Sequence, residues 1–478
     1  MQKNDFETPP LDHSASARET DRGPETAPDI LQIDSIIAGG DGLARHPDGF
    51  VVFVPRTAPG ERVEVEYIET RRQYRRARLL RVIESSPVRR DPPCPYYDRC
   101  GGCQLQHLDY AKGQLPVKAA IIAEAFRRIG KIEIEPPDIT ASPQEFGYRN
   151  RVSLVTGFPA AGAAGKKAAG ASAASAGAAA PGTKAPDPAK ITAGYHRFDD
   201  PAGLVEVEHC PLADPSINKV WAALRSVWDH TIECLPPGPE LRLTFRAGFG
   251  DAVGLAIEGG RGKGRPEGLL DFADHLVAVW RLGRGGDISG GAGAKTLEER
   301  IGPYEVPLSG TAFLQVNRAA AARLDGYVKE LCGPVSGQCI VDAYCGFGLR
   351  ALDLAKLGAT MAGIERDRHA VGTAKGLARR LGIPARFVAG EVEFNLKHSL
   401  PADLVILNPP RHGLSGPVID TLLRREVPRV IYVSCNPATL ARDVQRLSAG
   451  FKLESLRAFD LFPQTAHVET VAWLTRVG

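Results

Sequence analysis

Apolar and polar positions follow three different rhythms along this chain. From Ile30 to about Pro87, short apolar runs (Ile33 to Ala38, Gly49 to Pro55, Arg62 to Ile68, Arg76 to Ile83) are broken by Gly-Gly-Asp-Gly, His-Pro-Asp-Gly and Ala-Pro-Gly turns. Short strands at that spacing predict a small β-barrel over residues 30–88. Over residues 309–478 strand and helix patterns alternate, with candidate strands at Cys339–Ala343, Thr360–Glu365, Ala385–Ala389, Asp403–Leu407, Arg429–Ser434, Lys452–Phe459 and Val468–Leu474. This is the pattern of a doubly wound α/β domain, whose ligands bind at the carboxyl ends of its strands. Residues 89–308 read as an irregular α+β domain with a helical stretch from Tyr110 to Ile129. An Ala/Gly/Lys/Pro tract over 160–190 cannot bury a face and predicts a flexible insertion. The glycine-rich stretch from Gly283 to Gly293 predicts an exposed loop, and residues 1–29, short of large apolar side chains, a disordered tail.

A length of 478 residues predicts two or three domains, and a hydrophobic content of 43% is enough for sizeable cores. No long uninterrupted apolar run suggests a membrane helix, and the polar, mixed-charge start is no signal peptide, so a cytoplasmic protein without a membrane partner is expected. The net charge of +3 says little, but eight arginines crowd between Arg71 and Arg90 with Tyr74 among them. That run is either a solvated strand face or a surface for RNA phosphates and stacked bases. The odd count of nine cysteines argues against a disulfide framework and towards metal ligation or catalysis.

Chemistry gathers at the predicted strand ends, where Asp342, Glu365, Asn408 and Cys435 all fall. The turn Asp342-Ala343-Tyr344-Cys345-Gly346-Phe347-Gly348 lets backbone approach a ligand closely, but it lacks the full dinucleotide fingerprint. Glu365 follows Gly346 by about 20 residues, where an acid commonly holds a ribose hydroxyl. A short glycine turn with such an acid points to S-adenosylmethionine rather than NAD, and Glu391 could reach the adenine. Asn408-Pro409-Pro410-Arg411, read alone, suggests methylation of an exocyclic base nitrogen. Cys435, in Ser434-Cys435-Asn436-Pro437, argues instead for carbon 5 of a uracil. Carbon 5 is a poor nucleophile until a thiolate adds to carbon 6, and the adduct then needs a base, for which Glu469 is the candidate. Cys94, Cys100 and Cys103 are spaced Cys-x5-Cys-x2-Cys, with Cys210 remote. Four thiolates in that three-plus-one pattern fit a cubane cluster better than zinc, which more often takes two separate Cys-x2-Cys pairs.

Taken in order, these motifs resemble the RNA uracil-5 (5-methyluridine) methyltransferase family, in its iron–sulfur-containing branch that modifies 23S ribosomal RNA. The resemblance runs from Ile30 onward, leaving out only the tail and the Ala/Gly tract. It implies an OB-like TRAM domain for the barrel and a Rossmann-like methyltransferase domain at the C-terminus. The middle domain would carry a [4Fe-4S] cluster on Cys94, Cys100, Cys103 and Cys210. Phe313-Leu314-Gln315-Val316-Asn317 matches the motif whose glutamine contacts S-adenosylmethionine; Ser434-Cys435-Asn436-Pro437 matches the nucleophile motif and His467-Val468-Glu469 the base motif. Gln315, Tyr344, Gly346, Glu365 and Asn408 are then expected at the cofactor and substrate. Asn408 stands where the family usually has aspartate; an amide can both accept from a uracil ring N–H and donate to its carbonyl. The expected partner is RNA, ribosomal before transfer RNA, and the expected state a monomer.

Overall fold

Five short strands close on themselves near the N-terminus: β1 (Asp29–Ile36), β2 (Asp41–Arg45), β3 (Val51–Pro55), β4 (Arg62–Thr70) and β5 (Tyr74–Glu84), in the order β1-β2-β3-β5-β4. The structure is a computed structural model that describes residues 28–157, 191–238, 240–262, 264–283, 285–310 and 312–478. The expected insertion, and all but the end of the expected tail, lie outside the described residues. Alternating side chains fill the barrel, among them Leu31, Ile33, Val52, Val54, Val63 and Val65. Strand β2 falls between two of the expected apolar runs. The arginine run lies on β5 and its turn, opposite acids of β4: Arg81 meets Glu64 at 2.6 Å, Arg71 meets Glu69 at 2.7 Å, and Arg78 is bound to Glu66. Arg75 instead lies over the rings of Phe50 and Tyr67. For Arg71, Arg78 and Arg81 the solvated face of paired charges is therefore the better description.

The predicted helical stretch begins and ends in single π-type turns, Tyr110–Gln114 and Phe126–Gly130, around α1 (Leu115–Ala125). It is followed by the two-residue strand β6 (Ile139–Thr140). A seven-stranded sheet comes next, from β7 (Arg151–Gly157), β8 (Thr192–His196), β9 (Leu204–Glu206), β10 (Glu240–Ala247), β11 (Val253–Gly259), β12 (Leu276–Leu282) and β13 (Ile288–Gly293). Helices α2 (Pro215–Ser226), α3 (Trp228–Cys234) and α4 (Pro266–Leu270) cover one face, where Trp221 and Ile217 pack with Leu154, Leu243 and Phe245. Strand β13 is a correction to the expected loop: its exposed Gly-rich backbone pairs with β12 as the sheet's edge. Backbone hydrogen bonds need no side chain, so hydropathy carried no sign of it.

The hairpin β14 (Leu297–Ile301) and β15 (Tyr304–Leu308) leads to the C-terminal unit, and Tyr304, Val306 and Leu308 already pack in that unit's core. Strands β16 (Cys339–Ala343), β17 (Thr360–Glu365), β18 (Ala385–Ala389), β19 (Leu404–Leu407), β20 (Arg429–Ser434), β21 (Phe451–Phe459) and β22 (Glu469–Arg476) form its sheet in the order β18-β17-β16-β19-β20-β22-β21-β6. Helices α5 (Arg318–Cys332), α6 (Leu349–Lys356), α7 (Arg368–Leu381), α8 (Val392–Asn395), α9 (Gly416–Arg424) and α10 (Pro437–Leu447) flank it. The strands from β18 to β20 are parallel and nearly all apolar, as burial on both faces requires, while β22 runs antiparallel between β20 and β21. Strand β6 adds to the edge of this sheet, and Ile122 and Phe126 pack with Leu440 and Ala441 of α10. The chain before residue 140 thus completes the C-terminal sheet. Among the described residues no helix is long and apolar enough to cross a membrane.

Candidate active site

Antiparallel register creates the centre of the site. Ser434, the last residue of β20, pairs with Thr470 of β22. The next residue outward on one strand is Cys435, and on the other it is Glu469. Glu469 is buried, and burial pushes its carboxyl up to about 8 against the pull of Arg411 and a hydrogen bond from the Gln315 side chain. Burial, and then the charge of Glu469, push the Cys435 thiol up to about 12, again opposed by Arg411, which also hydrogen-bonds it. One guanidinium therefore favours the anionic form of both groups.

Arg411 stands in the motif after β19, but its sequence position gave no reason to pair it with Cys435. The pairing comes from α10. Its cap Asn436 and its first-turn Thr439 donate to the Arg411 carbonyl at 3.1 and 3.2 Å. Arg442 donates to the His412 carbonyl at 2.9 Å, and the buried Asp443 accepts from Leu414 N–H at 2.7 Å and from the Tyr432 hydroxyl at 2.8 Å. The Pro409-Pro410 turn is thereby fastened along the helix that opens two residues after the thiol.

Tyr344 adopts φ 64°, and its N–H donates to the Ile364 carbonyl at 2.8 Å, turning the chain sharply at the end of β16. Glu365 closes the turn from the next strand, one oxygen accepting from Gly346 N–H at 3.1 Å and the other from Asp367 N–H at 2.9 Å. Gly348 cannot carry a side chain: its φ is 68° and a Cβ would lie 2.3 Å from the Phe387 ring. Asp342 beneath the turn is pushed up to about 6 by burial, with Arg350 3.6 Å away opposing. Asn408 lies just past β19, its N–H on the Ala343 carbonyl. Tyr344, Gly346, Glu365 and Asn408 thus share one sheet edge with Cys435. Gln315 comes to Glu469 from the segment before α5, held by Asn150, whose side-chain amide donates to the Gln315 carbonyl at 3.0 Å.

The loop between β21 and β22 is fixed from the N-terminal half. Lys118 of α1 and Asp460 form a fully buried ion pair at 2.7 Å. Gln464 exchanges hydrogen bonds with Gln114, and its carbonyl accepts from the N–H groups of Gln104 and Leu105 at 3.0 Å. The Tyr148 hydroxyl donates to the Pro463 carbonyl at 2.8 Å. His467 is pushed down to about 3, first by burial and then by Arg411, Arg149 and Lys118, so it is neutral at physiological pH. Sequence patterns carried no sign of these contacts, since their partners lie hundreds of residues apart.

Cys94, Cys100, Cys103 and Cys210 come into one neighbourhood, near enough for Cys210 to act electrostatically on each of the other three. Burial is the main cause raising the first three thiols, Cys100 to about 11 and Cys103 to about 12. Gly102 N–H points at the Cys100 sulfur, and Arg56 and Arg149 bring positive charge to the group. Among the described residues, no three or more His, Cys, Asp or Glu side chains are arranged to hold a metal ion.

Comparison with known proteins gives this arrangement its context. A profile of the TRAM domain matches residues 33–80, and one of tRNA (Uracil-5-)-methyltransferase matches residues 393–477. An uncharacterized RNA methyltransferase of Gloeobacter violaceus is 34% identical over 93% of this chain and 96% of its own length. One of Thermosynechococcus vestitus is also 34% identical, over 93% of this chain and 97% of its own. The crystal structure of Pyrococcus abyssi tRNA (uracil-54, C5)-methyltransferase in complex with S-adenosyl-L-homocysteine shares the fold, with a TM-score of 0.71 at 24% identity over 93% of this chain and 99% of that one. With a TRAM barrel at one end and a glycine turn, thiol and buried carboxylate on one sheet edge at the other, the chain belongs to the S-adenosylmethionine-dependent RNA uracil-5 methyltransferase family.

Proposed function

We propose that this enzyme methylates carbon 5 of a uridine in structured 23S ribosomal RNA through a covalent adduct on Cys435. The Cys435 sulfur bonds to carbon 6 of the uracil, and the ring electrons move to make carbon 5 nucleophilic. Carbon 5 then takes the methyl group from the sulfonium of S-adenosylmethionine, releasing S-adenosylhomocysteine. Glu469 removes the carbon 5 proton, the ring double bond re-forms and the Cys435 sulfur leaves. Arg411 assists both ends of this sequence by favouring thiolate and carboxylate. Gln315, Tyr344, Gly346, Glu365 and Asn408 line the cofactor and substrate, with Asn408 able to pair both with a ring N–H and with a carbonyl. The uridine must leave its stack to reach a thiol at a sheet edge. The observation that carries this reading is the register that sets Cys435 beside Glu469 with Arg411 acting on both.

The choice of ribosomal RNA rests on the four cysteines. Cys94, Cys100, Cys103 and Cys210 would hold a [4Fe-4S] cluster, which would supply covalent iron–sulfur ties between two distant segments of the middle domain. Transfer RNA is the second reading, favoured by the tRNA-directed description of the profile that matches residues 393–477. Purified enzyme incubated with S-adenosylmethionine and RNA from a strain lacking the gene separates the two. 5-Methyluridine is expected in 23S rRNA digests. Methyl found only in tRNA would favour the second reading, and its absence from both would overturn the proposal.

A further inference from the structure

The loop that delivers Glu469 to the site is held, carbonyl by carbonyl, by the N-terminal part of the chain. Lys118 Nζ donates to the Phe462 carbonyl at 3.1 Å, and the Tyr148 hydroxyl to the Pro463 carbonyl at 2.8 Å. The N–H groups of Gln104 and Leu105 both donate to the Gln464 carbonyl at 3.0 Å. Three successive backbone acceptors ahead of the base are thus taken by residues from the other end of the sequence.

Gln464 gathers most of these ties. It is fully buried and adopts φ 72°, a left-handed backbone that favours glycine. Its N–H donates to Gln114 Oε1 at 2.9 Å, and its own Oε1 accepts from Gln114 Nε2 at 2.9 Å and from Arg90 Nη2 at 3.1 Å. Its Nε2 donates to the Glu145 carboxylate at 3.2 Å, and Arg90 closes the group by pairing with Glu145 at 2.9 Å. A guanidinium only donates and a carboxylate only accepts, so the Gln464 amide is satisfied in one orientation alone. A satisfied buried network of this kind rigidifies what it holds. A left-handed backbone at a residue other than glycine persists only where its surroundings fix it, and such positions cluster at functional sites.

Little slack separates Gln464 from the base. The Thr465 hydroxyl donates to the Phe462 carbonyl at 2.9 Å and accepts from His467 N–H at 3.3 Å, while Thr465, Ala466 and Val468 are buried. Glu469 is the first residue of β22, so strand pairing fixes it on one side and this loop on the other. A general base works only within hydrogen-bond reach of its proton, and a small displacement is costly. We infer that Gln464 is a positioning residue for the proton-removing step, setting the reach of the Glu469 carboxylate to carbon 5 through its ties to Arg90, Gln104, Gln114 and Glu145. Attack by Cys435 and methyl transfer do not use Glu469 as a base, so loosening this loop slows the last step and spares the first two. The inference rests on the covalent reading of the site.

The test is a single-turnover reaction of enzyme, purified without oxygen, with methyl-labelled S-adenosylmethionine and RNA from a strain lacking the gene. Label in RNA attached to denatured protein is separated from label in free RNA. Gln464→Gly keeps the left-handed backbone and its carbonyl bonds and removes only the amide. Methyl transfer should keep its rate in this variant, while release of free methylated RNA should slow about tenfold to a hundredfold, so that label accumulates on protein. Gln464→Asn, whose shorter amide suits the same backbone, is the alternative should the glycine variant fail to fold. Gln114→Met, which removes a partner and leaves Gln464 in place, should show the same pattern more mildly. A purely structural glutamine would slow transfer and release together, and that result would overturn the inference. Release at the normal rate by the Gln464 variants would overturn it equally. Glu469→Gln is run beside them. If it too accumulates no protein-bound RNA, the reading of Glu469 as the base fails and the inference falls with it; if it does and the Gln464 variants do not, the inference alone falls.

Discussion

Glu469 is asked to be a base in surroundings that favour its acid form. Its removal from water holds the proton up to about pH 8, while the same side chain unfolded releases it near 4.5. Only the ionised form can take the carbon 5 proton, and only the thiolate of Cys435, itself held up to about 12, can attack, so turnover should climb with pH through about 8 and go on climbing above it. Arg411→Met removes the neighbouring cation and should move that rise to higher pH, besides slowing formation of the Cys435 adduct; a pH–rate profile of both enzymes checks this. Stability runs the other way. Between 4.5 and about 8 the native state binds more protons than the unfolded chain, so stability falls as pH rises through that window. Glu469→Gln should abolish this fall, so its melting temperature should gain on that of the unmutated enzyme as pH increases. In the reaction the same variant should attack and transfer methyl, then stall as a covalent RNA–protein species that survives a denaturing gel. Release of methylated RNA at the normal rate would exclude Glu469 as the base.

At the scale of elements, the site depends on where strands stop and what fastens the loops beyond them. The five parallel strands of the C-terminal sheet were legible to within one residue, because a buried parallel strand is a continuous apolar run bounded by polar turns. Cys435 could be placed at a strand end for the same reason. That Glu469 faces it could not be read, since the pairing of Ser434 with Thr470 is a matter of antiparallel register between segments some 35 residues apart. Strand β6 has two residues and no hydropathic signature, and Arg411 is recognisable only once α10 is seen to grip its carbonyl. The loop ahead of Glu469 is anchored by the Lys118–Asp460 pair, with both side chains fully buried. Lys118→Met leaves a buried carboxylate without its cation and should cost about 3–5 kcal/mol in denaturant unfolding. Adding Asp460→Asn should recover a large part of that loss, because the two residues form one unit. Equal losses that simply add would show that the pair does not act as a buried ion pair.

At the scale of the whole molecule, the chain joins a closed barrel, a seven-stranded central sheet and an α/β unit. The barrel was expected from its turn-punctuated strands, but whether its arginines reach out to phosphates was a question of partners that composition cannot answer. In the structure several are opposed by acids one strand away. Replacing Arg78 and Arg81 by Gln should therefore leave the salt slope of RNA binding nearly unchanged, since exposed pairs of this kind exchange one neutralisation for another and are worth only about 0–1 kcal/mol. A slope made much shallower by these two changes would return the barrel face to phosphate binding. Three of the four cysteines feel the charge of Cys210, over a hundred residues further along the chain. Protein purified without oxygen should carry iron and sulfide in near-equal amounts, and Ser at Cys103 should remove them; stoichiometric zinc without iron would contradict the cluster.

The central claim is covalent catalysis by Cys435, and the most direct measurement is mass spectrometry of the enzyme after incubation with S-adenosylmethionine and substrate RNA containing 5-fluorouridine. Glu469 cannot abstract fluorine, so the account predicts a stable adduct in which methylated 5-fluorouridine is attached to the peptide bearing Cys435, and none with Cys435→Ala. Near-normal methylation of ordinary RNA by Cys435→Ala, with no adduct on the unmutated enzyme, would contradict it.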